Sequence, residues 1–322
     1  MKLRLFCTLA LLCVLATPCS VAVACDLCAI YSASRASGAD ARGFSVGMAE
    51  QFTSYGTLKN DGKTVANPLG QRMDSSITQI FGSYTFNNRF GVQLTLPIID
   101  RSFKRSDGTG GVQTGNVFGI GDITLIGSFM PYQKFTEDFS FTSRLLAGIK
   151  LPSGSTSRLK EELMEVPEVE GIPESGVHGH DLTLGSGSVD GIIGTALSTR
   201  WRRFLAAADI QYAIRSRGTI HYRFANDLHW SFSPGGYALM NHKETLAIAL
   251  KVSGERKSLD NLAGAPADDT GINAVFLGPD FLFTWKDKLS VNLGADIPVM
   301  IHNTALQSVP DFRIRTAITW NL

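Results

Sequence analysis

Long apolar runs are missing from this sequence after its first 24 residues. No stretch of about 18 consecutive apolar residues occurs there, which excludes a transmembrane helix. Acidic and basic residues nearly cancel, with 30 Lys and Arg against 29 Asp and Glu, so the charge gives no reason to expect a nucleic-acid partner. Charged residues make up only 18% of the chain. That is few for a soluble protein, and a β-barrel span accounts for it because only every second residue faces water.

Cysteine is scarce as well, and most of it falls in a segment that is typical of a secretory signal. Lys2 and Arg4 form a positive start, residues 5–15 an apolar centre, and residues 22–24 (Ala-Val-Ala) a cleavage site. We therefore predict that residues 1–24 are a signal peptide. Cleavage there would remove three of the five cysteines, namely Cys7, Cys13 and Cys19.

The two remaining cysteines, Cys25 and Cys28, would open a short lead-in at residues 25–42. A local disulfide in an oxidising periplasm is the interpretation we favour. Lipid attachment at Cys25 is a second interpretation, although Ala22 stands where a lipobox usually has Leu. A c-type haem would need His in place of Ala29. A soft-metal or redox site would need further ligands.

Residues 139–151 show the pattern that indicates the fold. One parity carries Phe139, Phe141, Leu145, Ala147 and Ile149. The other carries Ser140, Thr142, Arg144, Gly148 and Lys150. Successive side chains of a strand point to opposite faces, so this strand has one apolar and one polar face. The inward face of a soluble sandwich would be apolar. Arginine and lysine instead favour a membrane barrel with lipid outside and water inside.

The same alternation recurs along the chain and predicts about 12 strands. They are residues 43–55, 76–86, 90–103, 119–132, 139–151, 187–200, 204–217, 221–232, 244–255, 274–285, 289–301 and 311–322. Irregular pairing is expected near Phe52 and Tyr55 and at Pro97, which cannot donate a ladder hydrogen bond. An even count is typical of bacterial barrels. The predicted class is therefore an all-β, transmembrane antiparallel β-barrel formed by residues 43–322.

Connection lengths set the expected orientation. Connections after strands two, four, six and ten are short, whereas those after strands one, three, five, nine and eleven are longer. Outer-membrane barrels have short periplasmic turns and long extracellular loops. The longest connection, residues 152–184, is then extracellular. Its glutamates suggest a solvated acidic cap, although the segment could also fold inward and narrow the pore.

Three segments carry a resemblance to a known family. They are residues 119–125 (Gly-Ile-Gly-Asp-Ile-Thr-Leu), 146–155 (Leu-Ala-Gly-Ile-Lys-Leu-Pro-Ser-Gly-Ser) and 184–190 (Leu-Gly-Ser-Gly-Ser-Val-Asp). In this order they resemble the MetA-pathway of phenol degradation family of outer-membrane proteins. The resemblance implies an outer-membrane barrel of the channel or transporter kind. It names no substrate and supplies no catalytic residue.

Polar side chains on the inward parity are the candidate functional residues. The lumen-lining candidates are Asp122, Arg144, Lys150, Asp190, Arg215, Arg223, Asp227, His229, Arg313 and Arg315. Basic groups outnumber acidic ones in the wider inward set, which would favour anions through the local potential. We therefore expect an anion preference that reverses when Arg223 and Arg315 are changed to Glu.

Histidines raise two further possibilities. Residues 178–181 (His-Gly-His-Asp) could bind a divalent metal, but a flexible loop is poorly preorganised and we expect it to be solvated. A lumen cluster of His221, Arg223, Asp227 and His229 could be catalytic, but polar wall lining explains it equally well. The sequence has no Gly-x-Ser-x-Gly nucleophile motif. We expect no enzyme activity, no metal and no cofactor.

The function predicted from the sequence is passive passage of small solutes through the bacterial outer membrane. The alternative is a structural barrel that docks a periplasmic protein partner through the segment around Cys25 and Cys28. A barrel enzyme is the third possibility. Expected partners are outer-membrane lipid and small solutes, with no nucleic acid.

Overall fold

The computed structural model describes residues 43–164 and 171–322. The predicted signal peptide, the lead-in and the disulfide candidates Cys25 and Cys28 lie outside these residues. Seventeen strands are present in the described part: β1 (Gly43–Asn60), β2 (Lys63–Thr64), β3 (Arg72–Thr85), β4 (Phe90–Ser106), β5 (Val112–Ile120), β6 (Thr124–Phe135), β7 (Phe139–Lys150), β8 (Asp190–Trp201), β9 (Phe204–Ile214), β10 (Tyr222–Arg223), β11 (Asp227–Met240), β12 (Glu244–Lys257), β13 (Asp260–Leu262), β14 (Ala265–Ala267), β15 (Ile272–Trp285), β16 (Leu289–Asn303) and β17 (Leu306–Asn321).

The long strands form one closed antiparallel sheet. Its order is β1, β3, β4, β6, β7, β8, β9, β11, β12, β15, β16 and β17, and β17 pairs again with β1. Strands β5 and β6 share one position in the wall, because β5 pairs with residues 98–106 of β4 and β6 pairs with residues 90–95 of β4. The wall therefore has twelve strand positions, and the predicted all-β barrel is confirmed. Closure satisfies the hydrogen-bonding groups that a sheet edge would expose.

The outward face of the wall is an apolar surface. Large side chains such as Leu94, Ile193, Phe204, Ile297 and Val299 are exposed there, each at 49% or more. Inward neighbours of the opposite parity are buried and mostly polar. So much exposed apolar area is unfavourable in water and favourable in lipid. Within the described residues, no helix has the length and apolar character needed to cross a membrane.

Aromatic side chains ring the end of the barrel that carries the short turns. Phe90 stacks on Phe129 with ring centroids 4.9 Å apart, and Trp201 stacks on Phe204 at 6.2 Å. Phe86 and Phe135 are also exposed at this level. Aromatic girdles of this kind mark the boundary between lipid and water in membrane barrels.

Short and long connections alternate between the two ends, as the sequence predicts, with one exception. The turns at one end span residues 86–89, 136–138, 202–203, 241–243 and 286–288. Most connections at the other end are longer, but residues 304–305 link β16 to β17 directly. The prediction of a long connection after the eleventh predicted strand was wrong, because both strands extend beyond their predicted ends and pair with neighbouring strands there.

Both predicted irregularities are confirmed. The pairing of β1 with β17 shifts register around Tyr55. Opposite Leu96 and Pro97, the three residues 121–123 interrupt the strand between β5 and β6. Pro97 has no amide proton, and its carbonyl accepts a hydrogen bond from the Gly121 amide at 2.9 Å. The interruption turns the Asp122 side chain into the lumen, where it is 3% exposed.

The eighth predicted strand was misplaced. Residues 222–223 form β10, which belongs to a separate three-stranded sheet with β13 and β14. The wall strand β11 instead runs from Asp227 to Met240 and so continues beyond residue 232, where the predicted strand ends. Gly235 makes this continuation possible, since a Cβ there would lie 2.3 Å from the Ile248 carbonyl oxygen of β12.

We expect Leu94→Arg to destabilise the protein in a bilayer by about 2–4 kcal/mol, because it places a charge in the middle of the apolar band. Val112→Arg is the matched control, since Val112 is also exposed but lies at the loop end of β5. Reversible urea unfolding in lipid vesicles measures both. Equal destabilisation by the two substitutions would contradict a lipid-facing band at Leu94.

Candidate functional site in the barrel lumen

The described parts of the long connection, residues 151–164 and 171–189, fold into the barrel. Val177 and Leu182 are fully buried in a cluster with the wall residues Tyr55, Met73 and Phe103. Leu184 packs deeper, in a cluster that includes Ile77, Phe81 and Ile99. We call residues 151–189 the inserted loop. Of the two arrangements left open by its acidic sequence, the inward one is found.

The two ends of the inserted loop are held by one carboxylate, that of Asp122. Its Oδ1 accepts a hydrogen bond from the Gly154 amide at 2.9 Å, and its Oδ2 accepts from the Ser186 amide and hydroxyl, each at 2.8 Å. Lys150 Nζ lies 3.0 Å from the same Oδ2. Asp122 thus joins the loop to the wall at the point where the strand is interrupted.

Backbone contacts reinforce this junction. The Ser153 hydroxyl donates to the Gly121 carbonyl at 2.9 Å and accepts from the Ile123 amide at 2.8 Å. The Ser155 carbonyl accepts from the Leu184 amide at 3.0 Å. A Cβ on Gly154 would lie 2.5 Å from the Leu184 carbonyl oxygen, so the two ends of the loop touch through backbone that a larger residue would separate.

A chain of buried ion pairs extends from this junction across the wall. Lys150 Nζ is 2.9 Å from Asp190 Oδ2, and Arg215 Nη1 is 2.9 Å from the same oxygen. Arg215 Nη2 lies 2.6 Å from Asp227 Oδ2. Removing one member of such a chain leaves a buried charge unpaired, which typically costs about 3–5 kcal/mol.

The three segments that carry the family resemblance therefore meet in space. Asp122 comes from the first, Lys150 and Gly154 from the second, and Ser186 and Asp190 from the third. Their shared structural role is to hold the inserted loop in the lumen.

Two more inward arginines, both on β17, also form ion pairs with carboxylates of other wall strands. Arg313 forms a bidentate pair with Glu255, and Arg315 forms one with Asp296 at 2.6 and 2.9 Å. Asp280 adds a contact of 3.3 Å to Arg315. Since these guanidinium groups already face carboxylates, the surplus positive potential expected from the sequence is largely neutralised within the lumen.

Most predicted lumen residues lie on the inward parity of wall strands, but Arg223 does not. Its side chain is exposed in β10, outside the wall. Arg144 has the inward parity of β7 and is half-buried. The prediction for Arg223 failed because the Tyr222, Arg223, Phe224 alternation imitates a wall strand.

The proposed lumen cluster around His229 is also divided. Asp227 pairs with Arg215, whereas His229 Nδ1 lies 3.6 Å from Asp209 Oδ2. The Ser231 hydroxyl bonds to Asp209 rather than to the imidazole. His221 is exposed outside the wall. These contacts do not arrange a nucleophile against a base.

Several inward groups were not predicted from the sequence. Arg101 donates to the Asp181 and Thr183 carbonyls at 2.6 and 2.8 Å and so holds the inserted loop from β4. Arg101 has the same parity on β4 as Gln93 and Thr95, so extending their inward alternation along the strand would have predicted its inward position. Glu255 follows Lys251 and Ser253 on β12 in the same way.

Two cavities lie in the lumen. One is lined by wall residues that include Gln79, Gln211, Arg215 and His229. The other lies beside the inserted loop and is lined by residues that include His180, Asp181, Arg101 and Arg313. Their walls mix apolar and polar side chains.

Residues 178–181 are not a solvated loop segment, contrary to expectation. His178 and His180 are buried, and their rings stack with centroids 5.5 Å apart. Burial alone would lower the pKa of His180, but the neighbouring carboxylates Asp181, Glu162 and Asp269 outweigh it and raise that pKa well above its ordinary value. The potential at this point is therefore strongly negative.

Sequence comparisons do not identify the chain: no family model matches it, and no curated protein matches it. Among solved structures, the COG4313 outer membrane channel from Pseudomonas putida F1 is similar over 87% of this chain and 96% of that one, at 14% identity and a TM-score of 0.62. Two autotransporter domains are more distant. The beta domain of the Bordetella autotransporter BrkA is 8% identical, with 86% of this chain and 99% of that one covered and a TM-score of 0.44. The translocator domain of autotransporter NalP from Neisseria meningitidis is 11% identical, with 91% of this chain and 93% of that one covered and a TM-score of 0.40.

The likeness to the first of these structures supports the fold. The fold is that of an outer-membrane β-barrel, and the first of the three structures carries this conclusion. The family resemblance in the three segments is thus accompanied by a similar fold, whereas no sequence match supports the family name.

We expect Asp122→Asn to loosen the inserted loop. The substitution removes the charge that faces Lys150 and weakens the bonds to Gly154 and Ser186, at a cost of about 3–5 kcal/mol. Limited proteolysis of the folded protein should then cut within residues 155–183 faster than in the wild type. Asp138→Asn, an exposed carboxylate at the turn end, should leave the cleavage rate unchanged. Equal rates for wild type and Asp122→Asn would refute the anchoring role.

Proposed function

We propose that this protein is an outer-membrane channel for the passive passage of small solutes, with the inserted loop as its constriction. The observation that carries the proposal is a closed barrel whose polar lumen is narrowed by a loop bound from the inside. The apolar exterior and the aromatic girdle support a membrane location. The similar fold of a known outer membrane channel supports the same class.

The arrangement of the lumen fits conduction of small molecules rather than of polymers. Two small, separate cavities lie beside the inserted loop and beneath its anchor. The loop leaves only narrow spaces between itself and the wall, which suit small solutes better than extended chains. Paired charges along the walls would give a solute polar partners without a strong preference for one sign of charge.

Movement of the inserted loop would connect the two cavities. Its outer half is held by apolar contacts of Val177 and Leu182 and by hydrogen bonds from Arg101 and Gln71, whereas its ends are held by the Asp122 junction. Opening would break the contacts of the outer half and leave the ends in place. A channel of this kind would open by a change in the loop and not in the wall.

The test is single-channel conductance in planar bilayers, for the wild type and for a variant lacking residues 155–183. Because Gly154 and Leu184 are already adjacent, a short Gly linker can close the gap and leave Asp122 with its Gly154 and Ser186 contacts. Conductance steps should be larger in the deletion variant, since the constriction is gone. Absence of conductance in both, from protein shown to be folded by heat-modifiable gel migration, would discard the channel.

A point substitution provides a finer version of this test. Leu182→Asp should increase conductance, because a charge at a fully buried position expels the loop from its apolar cluster. Leu163→Asp is the matched control on the same loop, since Leu163 is 58% exposed. Equal conductance of the two variants would show that burial of the loop does not limit flow.

A further inference from the structure

A cluster of nitrogen and oxygen ligands that the channel function does not use lies where the inserted loop meets another connection. It is formed by Glu162, in the short 3₁₀ helix Ser157–Met164, by His180, in the short helix α1 (Gly179–Leu182), and by Asp269. Asp269 belongs to a different connection, in the short helix Asp268–Thr270 between β14 and β15. The cluster therefore joins two connections at the loop end of the barrel.

The ligand atoms are spaced as a small cation requires. His180 Nδ1 lies 3.2 Å from Glu162 Oε1 and 3.9 Å from Asp269 Oδ2. One ligand atom from each of these residues lies within 4.8 Å of the others. In tetrahedral zinc sites, bonds of about 2.0–2.1 Å place neighbouring ligand atoms about 3.3 Å apart. Small shifts of the side chains would bring all three atoms onto one ion.

His178 lies beside these three residues. Its Nδ1 lies 3.0 Å from Asp269 Oδ2, and its Nε2 lies 3.3 Å from the Leu306 carbonyl oxygen. Its ring stacks on that of His180, with centroids 5.5 Å apart. An imidazole nitrogen together with carboxylate oxygens suits Zn²⁺.

The surroundings of the cluster also resemble those of a metal site. His180 Nε2 lies 3.4 Å from Asp181 Oδ1, so a carboxylate orients the ring from the side opposite the ligand nitrogen. Asp269 Oδ2 is buried and accepts no hydrogen bond within the described part of the chain. A buried carboxylate oxygen without a donor is costly unless a cation meets it.

We propose that Glu162, His180 and Asp269 bind a divalent transition-metal ion, with Zn²⁺ as the best match, and that the ion fastens the inserted loop to the connection before β15. The nitrogen ligand distinguishes this site from a Ca²⁺ or Mg²⁺ site, where oxygen ligands are preferred. The metal would stabilise the outer half of the loop, in addition to its apolar contacts and its hydrogen bonds from Arg101.

The first experiment measures Zn²⁺ binding by calorimetry to the full-length, folded protein after removal of metals with a chelator. The wild type should bind Zn²⁺ and should give the visible absorption of four-coordinate Co²⁺, while Ca²⁺ and Mg²⁺ should not bind. His180→Gln, Glu162→Gln and Asp269→Asn should each weaken Zn²⁺ binding at least about tenfold.

Matched controls exist beside the cluster. Glu161→Gln should leave Zn²⁺ affinity unchanged, since Glu161 faces Arg105 and Arg158 instead of the cluster. His242→Gln should also leave it unchanged, because His242 is exposed at the turn end. Heat-modifiable gel migration checks that each variant is folded. Folded wild-type protein that binds no Zn²⁺, or binding that His180→Gln and Asp269→Asn leave intact, would overturn the proposal.

A second readout tests the fastening of the loop. Zn²⁺ should slow proteolytic cleavage within residues 155–183 in the wild type but not in Asp269→Asn, because only Asp269 comes from the second connection. Cleavage slowed equally in both would show that the ion does not join the two segments. Neither measurement requires conduction, so this proposal and the channel function can fail independently.

Discussion

The Asp122 carboxylate is the group on which the interior of this barrel depends. It lies where Pro97 and residues 121–123 interrupt the wall, and it binds both ends of the inserted loop together with Lys150. Through Lys150 and Asp190 the same network reaches Arg215 and Asp227 on neighbouring strands. A buried carboxylate is tolerated in such a place only when donors surround it. Here those donors come from the wall and from the loop, so each part holds the other in position.

Alternation of side chains made the wall predictable. Lipid on one side and a polar lumen on the other impose a strict period of two, which survives in β9, β16 and β17 almost residue by residue. The pattern failed where other contacts imitate it, as at Tyr222 and Arg223. It also failed beyond residue 232, where the predicted strand ends but the wall strand β11 continues.

The interior was less predictable, because its contacts join residues far apart in the chain. Nothing in the local sequence of residues 178–181 indicates burial against Glu162 and Asp269. The partners of Arg313 and Arg315 on β12 and β16 follow only once strand neighbours and registers are known. The family-like segments could be recognised as motifs, whereas their meeting at one point required the folded chain. Counting charges in the sequence overestimated the net positive potential of the lumen for the same reason, because the ion pairs that neutralise the basic side chains form only in the closed barrel.

The interruption at residues 121–123 bears on how the barrel is assembled. The Ile123 amide, facing no strand neighbour there, donates to the Ser153 hydroxyl, and the Ile123 carbonyl accepts from the Leu151 amide. A backbone group left unsatisfied at membrane depth is strongly unfavourable. The wall is therefore complete only once Leu151 and Ser153, at the base of the inserted loop, have docked against Ile123. In assembly, the start of the loop thus belongs to the wall, wherever the rest of the loop lies.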